Sequence, residues 1–410
     1  MRKKILISAA AVALLAGSGL STAAVADTHE PQSVPDPVLD QKALEDALDN
    51  IVENGGQSVV AQVKDNHEFW GDASGPRENG GDEMTKRDDQ VRVGSLTKSM
   101  VTTVLFQLVE DGQLDIDAPV AKYLPGVLPY EQEITVRQLM GHTSGVPDYF
   151  AKMLPSLYEG SADGAAEEMV DEYAYTDLID KATSDPLLFE PDEDWSYSNT
   201  GYYVLGLLVE EITGESVDTN LTARVFAPLH LDQTYLQAGD DLVIDADHPT
   251  PYLVSQDGDL TDTDKWHPSQ SWAAGAVIST MDDINTFYRA MFDGTLLEPA
   301  SVKEATTLTP QSGEAYGLGI QAVPIECDAV PGGTVYGHTG GTLGHSTWSF
   351  HSPNGQRQMT LTYSVDDQLK PSKDLNKAVN DFAIVALCGG QPQAQGETPQ
   401  VMLPNSVLRG

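Results

Sequence analysis

Segments with the two-residue alternation of strands stand near both ends of this sequence, and segments with helical spacing fill the middle. Ser58 to Lys64 reads as a strand, with His67 to Trp70 as its hairpin partner. Far downstream, Tyr316 to Val323, Thr334 to His338, Thr347 to His351 and Gln358 to Ser364 read as strands, the last two joined at Asn354-Gly355, a strong hairpin signal. A sheet must bury at least one face. Helical spacing over Gln41 to Glu53 and Leu375 to Leu387 supplies a cover from each terminus. The expected fold is therefore α+β: one antiparallel sheet built from both ends, flanked by the N- and C-terminal helices, with a mainly helical lobe inserted at about residues 113–270. Within the insert, Thr135 and Gln138 form a capping box, and helices are expected over Thr176 to Thr183, Thr200 to Thr213 and Ser216 to Phe226. Leu154 to Tyr175, acidic and rich in small residues, reads as a surface excursion. Ala273 to Ile278 fits either a strand or a tight buried segment, and Thr280 caps a helix to about Phe292.

The first residues have a different purpose. Arg2-Lys3-Lys4, an apolar run from Ile5 to Ala16 and Ala24-Val25-Ala26 make a secretory signal peptide over 1–26. A polar leader over 27–40 precedes the folded body at 41–388, and a Pro/Gln/Gly-rich tail occupies 389–410. No later stretch is apolar for long enough to span a bilayer, so an exported, soluble monomer without a membrane anchor is expected. An oxidising compartment lets the two cysteines, Cys327 and Cys388, pair; the alternative is two buried thiols. The formal charge of −39 excludes nucleic acid and anionic membrane surfaces as partners.

Three short motifs carry chemistry. In Val93-Gly94-Ser95-Leu96-Thr97-Lys98-Ser99-Met100, one helical turn separates Ser95 from Lys98 and puts both on one face. Serine is a poor nucleophile unless a base is near, and a helix N-terminus favours the negative charge that its attack creates. The apolar stripe of Leu96, Met100, Val101, Val104, Leu105 and Leu108, stopped by Gly112, marks a buried helix rather than a surface one. Tyr197-Ser198-Asn199 lies in a loop before a helix. A phenol beside an ammonium loses its proton more easily and can take one from a serine, while Asn199 can donate its amide to a carbonyl. His338-Thr339-Gly340-Gly341 follows a strand, where small residues let an extended substrate approach.

Taken together, in this order, the motifs resemble those of the serine β-lactamase and penicillin-binding superfamily, closest to secreted bacterial D-alanyl-D-alanine carboxypeptidases and their class C relatives. Val91 to Ser99 carries the resemblance. So do Thr135 to Met140 with His142 to Gly145, Tyr197 to Thr200, Ala274 to Ser279, Tyr316 to Gly319 and Tyr336 to Gly340. The resemblance implies that Ser95 is the nucleophile of an acyl-enzyme and that Lys98 and Tyr197 share its proton, with the formal base left open. His338 sets the charge near Tyr197, and Asn199, Thr339 and Gly340 hold the substrate. The N–H groups of Ser95 and Gly341 bind the oxyanion. It also implies a Cys327–Cys388 disulfide and neither metal nor cofactor. The chain departs from the carboxypeptidases at two carboxylate anchors: Gln321 stands in place of an Arg and Gly341 in place of a second Thr. The expected substrate is a small peptide, ester or β-lactam. A D-Ala-D-Ala carboxypeptidase acting on peptidoglycan stem peptides comes first. An esterase, D-amino-acid peptidase or β-lactamase comes second, and a penicillin-binding sensor without turnover third.

Other features read as structural. His142 to Gly145 imitates the later triplet from a loop, and His345 and Ser346 shape a strand entrance. There is no Gly-x-Ser-x-Gly elbow, and His67-Glu68 lacks the second His of a zinc helix.

Overall fold

The structure, a computed structural model, describes residues 39–66 and 68–389. The expected signal peptide, nearly all of the leader and the tail beyond Gly389 lie outside the described residues. Among those described, no helix is long and apolar enough to cross a membrane.

Six strands form the main sheet: β1 (Val59–Asp65), β2 (Glu68–Ser74), β3 (Gln321–Pro324), β4 (Thr334–Gly341), β5 (Ser346–His351) and β6 (Arg357–Tyr363). Their order is β2-β1-β6-β5-β4-β3, with every neighbouring pair antiparallel. The N-terminal hairpin is thus zipped onto the last strand, Val59 facing Tyr363 and Asp65 facing Arg357. Alternation along β1 sorts its side chains. Val59, Ala61 and Val63 join the apolar core beneath α1 (Gln41–Ile51) and α5 (Lys373–Cys388), and Val60 joins the second core on the opposite face. On that face α4 (Met281–Phe292) lies against β1, where Gln62 exchanges hydrogen bonds with Asp282 and Asn285. Side chains fix where these helices start: Asp40, Thr280 and Ser372 accept from the N–H groups of Ala43, Asp283 and Leu375.

The second core runs along α2 (Leu96–Glu110), which leads into the helical insert, and continues into the insert with α3 (Asn199–Thr213). Nearly the whole of α2 is buried, including its polar Thr97, Lys98, Ser99, Thr102 and Thr103. The Thr135–Gln138 capping box is formed in both directions, and Gly214 ends α3 in the left-handed conformation.

Two local expectations are corrected, and the segment at Ala273 to Ile278, expected as a strand or a tight buried segment, combines both. Leu154 to Tyr175 is not a surface excursion: it contains two short helices, Pro155–Tyr158 and Ala162–Glu168, and Leu157, Ala162, Ala165 and Met169 enter the core. Its acidic residues cover the outside, and that composition hides the apolar stripe. The segment after Ser271 is a single helical turn, Trp272–Gly275, followed by a short strand, Val277–Ser279. The His338 triplet lies inside β4, which runs on to Gly341, because the pairing with β5 continues through the glycines.

Cys327 and Cys388 are bonded and tie the β3–β4 connection to the end of α5. Closing a loop of 61 residues is worth about 4 kcal/mol in the chain-entropy model. Replacing both cysteines with serine is expected to lower the free energy of unfolding by that order, read from the urea midpoint and slope by circular dichroism; an unchanged midpoint would mean the bond adds nothing to stability.

Candidate active site

Ser95 occupies the first position before α2 with helical backbone angles, and its side chain caps nothing. Its hydroxyl is therefore not spent on the helix end. Gly94, which precedes it, has φ of +57°, and a Cβ there would lie 2.8 Å from the nitrogen of Gly341. A Cβ on Gly340 would meet the Val93 carbonyl oxygen at 1.9 Å. Glycine at these two positions lets β4 slide against the turn that carries Ser95, so the N–H groups of Ser95 and Gly341 belong to backbones in contact.

Lys98 is fully buried. Its Nζ lies 3.0 Å from Ser95 Oγ, 2.7 Å from Asn199 Oδ1 and 2.8 Å from the Ala274 carbonyl oxygen. Burial lowers its pKa to about 7, against a pull upward from Asp148. A neutral amine has two hydrogens and one lone pair. Asn199 Oδ1 and Ala274 O can only accept, so they take both hydrogens, and the lone pair is left facing Ser95. The orientation of Asn199 is itself fixed. Asp148 accepts from its Nδ2 at 2.8 Å and its backbone N–H at 2.9 Å, which turns Oδ1 toward the lysine. Asp148 also accepts from the Phe150 N–H.

Tyr197 is buried, with its ring 4.8 Å from Lys98 Nζ. Its hydroxyl faces that of Ser95, close enough to interact but without the alignment of a formed hydrogen bond. Burial pushes this phenol well above its ordinary pKa. The expectation that the nearby amine would lower it is corrected: desolvation of the buried phenol dominates. His338 lies on β4, 6.3 Å from Tyr197 between ring centroids, and burial lowers it to about 3. It is a neutral imidazole and not, as the sequence suggested, a source of charge. Thr339 donates its N–H to Gln321 Oε1 at 3.0 Å and its hydroxyl lies 3.2 Å from the same oxygen, while Gln321 Nε2 is buried without a partner. A flipped amide would set two donors against each other at Thr339, so this orientation is the required one.

Ser95, Lys98, Tyr197, Asn199 and His338, drawn from α2, the start of α3, the loop before it and β4, thus surround one point. The cleft above it is lined by Tyr149, Phe150, Trp266, Gln270, Gly341 and Thr342. Three of its supports were not legible as such. Asp148 sits in an unremarkable loop. Tyr316 carries a hydroxyl 3.0 Å from His338 Nε2. His142, read as structural, packs its ring 4.3 Å from that of Tyr197 and reaches the Tyr316 hydroxyl. The available signals were the His142 to Gly145 likeness to the later triplet and the place of Tyr316 to Gly319 among the segments of family resemblance. His345 is structural as expected: it accepts from the Arg92 N–H and donates to the Pro249 carbonyl. A hydroxyl beside an amine whose pKa is lowered to about 7, in a cleft that Ser95 and Gly341 both line, can attack a carbonyl and stabilise the charge that results.

Comparison with known proteins agrees with this chemistry. The Beta-lactamase family model matches residues 44–384. Penicillin-binding protein 4 of Amycolatopsis lactamdurans is 31% identical, over 72% of this chain and 76% of its own. Esterase EstB of Burkholderia gladioli is 27% identical over 68% of this chain and 78% of its own. The crystal structure of a D-stereospecific amidohydrolase from Streptomyces superposes with a TM-score of 0.73 at 31% identity, covering 86% of this chain and 99% of that one. Fold, site and kinship converge: the chain belongs to the Beta-lactamase family and is a serine hydrolase of the β-lactamase and penicillin-binding protein type.

Proposed function

We propose that this protein is an exported D-stereospecific amidohydrolase: it cleaves amides and esters of D-amino acids through an acyl-enzyme, and prefers substrates whose leaving group is uncharged. The observation that carries the preference is Gln321. It stands where the related carboxypeptidases place an arginine, and its oxygen is committed to Thr339. A charge-assisted contact contributes about 1.5–3 kcal/mol, so a terminal carboxylate binds about 10- to 100-fold less well here than beside an arginine, and a chain of formal charge −39 repels it further. The named activities of the Streptomyces amidohydrolase and of EstB support the amide and ester chemistry, and the Cys327–Cys388 bond supports export.

In this reading the Lys98 amine takes the proton from Ser95 as Oγ attacks the substrate carbonyl. The N–H groups of Ser95 and Gly341 hold the oxyanion. When the tetrahedral adduct collapses, the proton passes to the leaving nitrogen or oxygen, with the neutral Tyr197 phenol as the relay. Water then attacks the acyl ester by the same path and returns the proton to Ser95. Asn199 and Thr339 hold the substrate.

The test is a panel of a D-aminoacyl amide, its L enantiomer, a short-chain ester, a chromogenic cephalosporin and an acyl-D-Ala-D-Ala peptide. Turnover of the D-amide and the ester is expected to exceed release of D-Ala by about 10-fold or more. Faster D-Ala release would restore the carboxypeptidase reading. Equal rates on the two enantiomers would remove the stereospecific one, and a stable penicillin adduct without turnover would point to a sensor.

A further inference from the structure

Two histidines and a tyrosine behind the cleft leave no freedom in where their protons lie. His338 Nδ1 is 2.6 Å from the Thr339 carbonyl oxygen, which only accepts, so Nδ1 carries the hydrogen. Being neutral in its buried position, this ring presents a lone pair at Nε2, 3.0 Å from the Tyr316 hydroxyl. At the other end the backbone N–H of Ser198, which only donates, points at His142 Nδ1 over 3.2 Å. His142 therefore has its lone pair at Nδ1 and its hydrogen on Nε2, 3.1 Å from the same Tyr316 hydroxyl. Tyr316 has one hydrogen. It accepts from His142 and donates to His338.

We infer that Ser198 N–H, His142, Tyr316, His338 and the Thr339 carbonyl form a single one-way hydrogen-bond chain, and that His142 and Tyr316 are positioning residues that lock the Tyr197 loop to the substrate-binding strand. The chain starts one residue after Tyr197 and ends on Thr339, so it joins the two walls of the cleft. The ring of His142 meanwhile holds that of Tyr197 in place at 4.3 Å. Neither residue is within reach of a substrate through this chain: they act through Tyr197 and Thr339. All three side chains are buried, so water does not substitute for a missing link without a rearrangement.

The chain itself does not depend on the proposed substrate. The functional consequence rests on the hydrolase reading above. Nitrogen-15 NMR of the full-length protein, labelled at histidine and assigned with His338→Gln and His142→Gln, reads the tautomers directly. His338 is expected protonated on Nδ1 alone at neutral pH, the less common form in water, and His142 on Nε2 alone. A hydrogen on His338 Nε2, or a charged ring at either position, would overturn the chain. Tyr316→Phe keeps the ring and removes the link. It is expected to leave the hydrogen on His338 Nδ1, still held by the Thr339 carbonyl, to shift the His338 Nε2 resonance as its hydrogen bond is lost, and to lower kcat on whichever panel substrate is turned over at least 10-fold, with KM changed less than about 2-fold. Unchanged kcat alongside the predicted tautomers would leave the chain standing and remove its role in positioning. Failure of every panel substrate would count against the hydrolase reading and would leave the NMR result untouched.

Discussion

Replacing Ser95 with alanine is expected to abolish turnover of every substrate and covalent labelling by a fluorescent penicillin or phosphonate, a loss of at least ~10⁴-fold in kcat. The fold should hardly notice. The hydroxyl caps no helix N–H, the residue already has the helical backbone angles that alanine favours, and the oxyanion N–H is part of the main chain and stays. The stability change should stay within about 1 kcal/mol, so the lost rate is assignable to the nucleophile. Steady-state kinetics beside a thermal melt checks both halves. Labelling that survived in a folded alanine variant would mean that another hydroxyl attacks.

The second large effect is at Lys98. With its pKa lowered to about 7, the side chain is an ammonium below that pH and a free amine above it. Only the amine offers Ser95 a lone pair. In the wild-type protein kcat/KM is therefore expected to climb tenfold per pH unit below about 7 and to level off above it. Lys98→Met keeps the apolar stem and removes the base. A fall of about 10²–10⁴-fold in kcat/KM is expected, together with disappearance of the acid limb. It also strips the hydrogen donor from Asn199 Oδ1 and the Ala274 carbonyl while relieving the burial that depresses the lysine's pKa, two opposing effects on stability, so the kinetics are read beside a thermal melt. A wild-type profile that stayed flat between pH 5 and 8 would take the role of base away from the lysine.

The parts of this protein legible in its sequence are those where one local pattern suffices. Spacing placed Ser95 and Lys98 on one face of α2, capping chemistry placed the Thr135 helix, and alternation with Asn354-Gly355 placed β5 and β6. Environment was not legible. A phenol beside a lysine reads as an acid from composition, yet the buried Tyr197 is pushed the other way. His338 reads as a charge and is a neutral ring. The roles of Asp148 and Tyr316 could not be picked out because their partners, Asn199 and the two histidines, are brought to them only by packing of the insert against the sheet. The helices at 155–168 were masked by their own acidic exteriors.

One feature of the sheet reaches beyond catalysis. The N-terminal hairpin joins the sheet only through the pairing of β1 with β6, so the first strand to be made waits for the last strand of that sheet. Until then β1 has only its hairpin partner β2, and two strands alone are barely stable in water. A chain still being synthesised cannot set β4 against the Ser95 turn before β4 itself is made. Hydrolytic competence consequently arrives only once the strands near the end of the folded body have been made.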